Sequence, residues 1–148
     1  MAKRFHFELQ TVLNVRAIRA DAAKRDFGRA LAAVQAVEEQ LRAWDRLERE
    51  GKQELADMSR ERIDVVQLRL QKQYLFSIAQ HKRIAQTQLL ALQQTLALKR
   101  HALMEAQRDQ RAMELLRDKR QQEYAYAMDR AEQHVLDDMK NFMREEGG

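Results

Sequence analysis

The chain has no proline and no cysteine, and of its four glycines two are the last two residues. Serine occurs only at Ser59 and Ser77, and aromatic residues make up 6% of the 148 positions. Each scarcity excludes something. A β protein of this length needs turn residues every ten positions or so, and they are missing. Without cysteine there is no disulfide framework, thiolate metal site or thiol nucleophile, which agrees with a reducing compartment. No apolar run approaches the roughly 18 residues of a membrane span. The start, Met1 to Phe5, leads into a mixed polar segment and lacks the pattern of a secretory signal. A mean hydropathy of −0.71 leaves little for a thick globular core. What remains is 34% charged and rich in Ala, Leu, Glu, Lys, Arg and Gln, the composition of long uninterrupted helix.

Charge is unevenly spread. The net of +4 divides into a basic start (1–30), an acidic stretch (31–64), a stretch with six bases and no acid (65–104) and an acidic end (105–148). The acidic block followed at once by an acid-free basic block suggests that the two lie against each other.

Periodicity gives the architecture. From Leu9 the positions Leu13, Arg16, Ala20, Ala23, Phe27, Ala30, Val34, Val37, Leu41, Trp44, Glu48, Gly51, Leu55 and Met58 step by four and three. A 3.5-residue repeat held this long is a coiled-coil seam, with Arg16, Glu48 and Gly51 off pattern. The pattern breaks near Asp57 to Ile63. Asp64, with Gln67 three residues on, then has the spacing of a helix N-cap. A second series follows at Leu68, Leu75, Ile78, Ala85, Leu89, Leu92, Leu96, Leu103, Ala106 and Met113, interrupted by Lys82, Lys99 and Gln110. The stripe nearly vanishes over 117–123 and returns as Tyr124, Ala127, Met128, Ala131, Val135, Leu136, Met139, Phe142 and Met143.

The expected fold is therefore all-α: a long two-helix antiparallel coiled-coil hairpin forming a single domain over 1–148. Helix one spans about 5–57, the turn about 58–64 and helix two about 65–144. Helix two is roughly 120 Å long against roughly 80 Å for helix one, so a C-terminal helical overhang is expected from about residue 118. Folding back near residue 61 places Trp44 by Ile78, Phe27 by Gln94 and Leu9 by Ala112. The overhang keeps an apolar face through Met128, Val135, Met139 and Phe142 that needs a cover.

Catalytic and metal signals are weak. There is no Gly-rich phosphate loop. His101 with Glu105 and His134 with Asp138 have ligand spacing on a helix, but two ligands do not close a zinc site. Asp137 and Asp138 read as surface charge. The basic balance, with a pI near 9.6, raises a phosphate-tracking stripe through Arg69, Lys72, Lys82, Arg83, Lys99 and Arg100, which no recognised nucleic-acid motif accompanies. A membrane-surface role for 124–143 conflicts with its acidic polar side. Trp44 and Phe27 sit in seam positions, whereas Tyr74, Phe76 and Tyr126 sit off the seam or at its edge, where aromatics mark protein contact.

Several stretches resemble one family. Phe5-x-Phe7-x-Leu9-Gln10 followed by Leu13 and Arg16 is similar to the start of the flagellar export stalk family, FliJ. Ile63 to Leu68 with Tyr74 and Ile78 resembles the start of that family's second helix. Arg100, Leu103, Ala106, Leu115, Lys119 and Val135 to Asp138 resemble its C-terminal half. The resemblance implies a non-enzymatic, cofactor-free stalk in the flagellar type III export apparatus, inserting into a hexameric export ATPase ring. By resemblance the paired hairpin ends (Phe5, Phe7, Leu9, Met128, Val135, Met139, Phe142) meet the ATPase ring. Tyr74 and Ile78 would meet the cytosolic domain of the export gate, and export chaperones are further partners. The protein would be cytoplasmic and reach the inner membrane through its partners only, with no nucleic acid expected. Injectisome stalk proteins share this architecture. The alternative is a basic coiled-coil nucleic-acid-binding or tethering protein; a salt-sensitive gel shift favours it, whereas copurification with a hexameric ATPase favours the stalk.

Overall fold

The computed structural model describes residues 4–60, 62 and 64–147. It contains two helices, α1 (Gln10–Arg60) and α2 (Val65–Glu146), and no strand among the described residues. The chain is all-α and the two helices pack against each other antiparallel. It divides into two compact units, Ala22–Leu103 and Met1–Asp21 with Met104–Gly148.

The helix limits differ from those read in the sequence, for a physical reason at each end. α1 starts at Gln10 and not at Phe5. On a helix, Phe5 and Phe7 would point about 200° apart, whereas the non-helical lead-in lets both pack on α2. The Gln10 amide donates to the Phe7 carbonyl at 3.1 Å as the helix begins. At the other end α1 continues to Arg60, and Asp64 caps α2 as its spacing predicts, accepting the Val66 amide on Oδ1 at 3.0 Å. Of the connecting residues, Glu61 and Ile63 lie outside the described residues.

In the Ala22–Leu103 unit, Trp44 stacks on His81 with ring centroids 4.7 Å apart, and Arg100 lies over the Phe27 ring at 5.9 Å. The partners expected from the sequence, Ile78 and Gln94, are thus displaced by three and six residues. Moving the fold-back point by one residue moves the register by two, and α1 runs three residues further than the periodicity suggested. Val34, Val37, Ile78 and Ala85 form the buried seam here.

Every position in the four-three series from Leu9, just before α1, to Met58 is buried or half-buried, including the three off-pattern ones. Glu48 and Lys82 occupy facing seam positions and pair at 3.4 Å, while Lys82 also reaches Asp45 at 2.7 Å. This is the expected meeting of acidic and basic blocks. Lys82 holds the Asp45 carboxyl below its ordinary range by a hydrogen bond. Glu48 is lowered first by its bond from Lys52 and then by the charges of Lys52 and Lys82. The bond to Asp45 raises Lys82 itself. Depressed carboxylates stabilise the fold above their unfolded values and lose that contribution as pH falls through the folded ones. A raised lysine contributes below its unfolded value, 10.5, and loses it as pH rises through the folded one. Melting of the wild type relative to Lys82→Met is therefore expected to be most favourable between about pH 5 and pH 10, with the difference shrinking on both sides. Circular-dichroism melts across pH measure this.

The two internal glycines behave differently. A Cβ on Gly28 would meet nothing within 4 Å, whereas on Gly51 it would lie 2.7 Å from Leu75 Cδ2. Gln71 also donates to the Gly51 carbonyl at 3.0 Å, so the helices approach closely at this point. Gly28→Ala is expected to stabilise by about 0.5–1 kcal/mol through helix propensity. Gly51→Ala makes the same propensity gain but must displace the end of the Leu75 side chain, so it is expected to stabilise less than Gly28→Ala. Denaturant melts of the two variants check this order.

Candidate partner-binding surfaces

In the unit formed by the chain's two ends, Phe7, Leu13 and Met113 make a small core with Phe5, Leu9 and Leu116 packed against it. The Phe5 ring sits 5.7 Å from Tyr124, and the Arg120 guanidinium lies 5.8 Å over the Phe7 ring. Arg16 donates to the Asp109 carbonyl at 3.1 Å. The N-terminal candidates are therefore engaged by the chain itself: Phe7 is 4% exposed, and Phe5 and Leu9 are half-buried. Cover by the N-terminal segment extends as far as Tyr124, past the residue 117 expected from the sequence. Arg120 fills the gap where the apolar stripe seemed to vanish, because a guanidinium packs on an aromatic face as well as an aliphatic group does.

Beyond this point α2 changes character. Met128 is half-buried, and every described residue from Asp129 on is exposed. The apolar spacing nevertheless continues: Val135, Met139 and Phe142 are 58%, 55% and 61% exposed, flanked by exposed Leu136 and Met143. From Met113 onward the stripe runs Leu116, Arg120, Tyr124, Met128, Ala131, Val135, Met139, Phe142. Met113 to Tyr124, Tyr124 to Val135 and Ala131 to Phe142 are each eleven residues apart. An eleven-residue repeat lets a stripe drift slightly right-handed along a helix, where a heptad drifts left-handed. Two shallow grooves lie along it, one lined by Met128, Ala131, Glu132, Val135 and Leu136, the other by Val135, Asp138, Met139, Phe142 and Met143.

A second exposed apolar surface opens α2. Val65, Val66, Leu70 and Phe76 are all exposed, and a groove is lined by Val65, Leu68, Arg69, Lys72, Gln73 and Phe76. The two gate candidates divide here. Tyr74 is exposed, whereas Ile78 is 1% exposed and belongs to the seam. Phe76, next to the seam residue Leu75 but 65% exposed, supplies the accessible ring; its off-seam position is the signal in the sequence.

No group of three His, Asp or Glu side chains among the described residues could hold a metal ion. No helix among them is long and apolar enough to cross a membrane.

The family model described as the flagellar FliJ protein matches residues 5–147. This chain belongs to the flagellar FliJ family. It is accordingly a component of flagellar assembly and protein export. The match covers both the N-terminal aromatic lead-in and the exposed C-terminal stripe. No curated protein and no solved structure matches the chain.

Proposed function

We propose that this FliJ-family chain is a non-enzymatic stalk of the export apparatus. It inserts its paired ends into a hexameric export ATPase ring, and its α2 face near Tyr74 and Phe76 meets the cytosolic domain of the export gate. Export chaperones are further partners, and the protein works in the cytoplasm, held at the inner membrane through these partners. One observation supports this most: the apolar stripe keeps its spacing after burial stops at Met128, and such a face is stable in water only when something covers it. Since Phe5, Phe7 and Leu9 are used internally, they hold the end of the hairpin in shape, and Val135, Met139 and Phe142 make the contact. A phosphate-tracking role fits less well, because Lys82 and Arg100 are engaged by Asp45, Glu48 and Phe27.

Titration of purified chain into its cognate ATPase ring tests the proposal. The chain alone is expected to hydrolyse no ATP, and the ring's rate is expected to rise to a plateau. Hydrolysis by the chain alone, or an unchanged rate at saturation, would contradict it.

A further inference from the structure

The two exposed apolar grooves on α2 have opposite charge. The stripe at the C-terminal end is accompanied by carboxylates within its own grooves, Glu132 and Asp138. Residues 129–146 carry six acids against three bases. The groove at the start of α2 is lined by cations, Arg69 and Lys72, beside Val65, Leu68 and Phe76, in a stretch without a single acid from 65 to 104. Each is a helix face that exposes large apolar side chains and lacks cover among the described residues. An amphipathic helix with acidic flanks is the ligand that an apolar groove with basic flanks selects.

We infer that the C-terminal stripe of one copy docks on the basic groove of a second copy, giving head-to-tail self-association of the free chain. The apolar contact joins Val135, Met139 and Phe142 to Val65 and Phe76. Glu132 and Asp138 meet Arg69 and Lys72 at the rim. The contact is heterologous, so each docked copy still presents one free stripe and one free groove, and association is open-ended. Because the rim is ionic, association weakens as salt rises. The inference stands apart from the ATPase reading, since no ring takes part in it, but the two contacts compete for the same stripe.

Sedimentation equilibrium of the full chain, without any partner, from about 1 to 200 µM tests it. The wild type is expected to rise above 17.5 kDa with concentration, more steeply at low salt. Two charge-reversed chains, E132K/D138K and R69E/K72E, are each expected to associate at least about tenfold more weakly, since like charges then face each other. Mixing the two restores association, because each supplies the other's complement, and circular dichroism confirms that both remain helical. A wild type that stays at 17.5 kDa throughout would overturn the inference, as would reversed chains that associate like wild type or a mixture that stays monomeric. Ring stimulation by a chain that never self-associates would leave the stalk reading standing while this one fails.

Discussion

The variant V135S/M139S/F142S is expected to lose its complex with the export ATPase ring while melting like the wild type. The three side chains are all more than half exposed, so their removal takes almost nothing from the chain's own packing. Seated in a partner, each would contribute roughly 1.5–3 kcal/mol of apolar burial. Loss of several kcal/mol takes a micromolar complex out of the measurable range, at 1.4 kcal/mol per tenfold. Pull-down on the ring reads the first effect and circular-dichroism melting the second. Normal binding with an early melt would mean that the stripe belongs to the protein's own fold.

The second large effect separates two neighbours on α2. Ile78→Ala is expected to destabilise by about 2–4 kcal/mol, the usual cost of truncating a fully buried Ile, because Ile78 is 1% exposed in the seam. Phe76→Ser, at a 65% exposed position, is expected to melt normally and to weaken binding to the gate's cytosolic domain at least about tenfold. Any loss of gate binding in Ile78→Ala should then follow its loss of helicity and recover where the chain is fully folded. If Ile78→Ala is as stable as wild type yet deficient in gate binding, Ile78 is a contact residue and its burial here has been misassigned to the seam.

Most of the fold was legible because a coiled-coil seam writes its period directly into the chain. The series from Leu9 through Met58, all of it on α1 except Leu9, is readable from spacing. Even the apparent defects at Glu48 and Gly51 held seam places, one paired with Lys82 and one admitting Leu75 and Gln71. Register was less legible. It depends on where α1 stops, and nothing near Arg60 marks the end, since neither glycine nor proline stands there. The three-residue extension was enough to give Trp44 the ring of His81 where Ile78 was expected. The sequence reads the lead-in as helix because aromatics at Phe5 and Phe7 precede a strong helical period, and only their shared packing on α2 shows that they lie outside it.

The candidate surfaces were legible in part. The C-terminal stripe stood out because its apolar spacing outlasts the expected partner helix. The gate candidates were separable by spacing, since Ile78 falls in the seam series and Tyr74 and Phe76 fall off it, but the family resemblance groups Tyr74 with Ile78 regardless of burial. The change from a seven- to an eleven-residue repeat was hidden by Arg120, a charged residue doing the packing of an apolar one.

Amide hydrogen exchange of the chain, alone at submicromolar concentration and then with its ATPase ring at saturation, tests the central claim most directly. Alone, amides 130–146 are expected to exchange much faster than those of the seam around Ile78 and Ala85, since an uncovered helix opens readily. In the complex these same amides are expected to slow by about tenfold or more, as the stripe is covered. A complex that forms while amides 130–146 keep their free exchange rates would contradict the assignment of the C-terminal stripe as the ring contact.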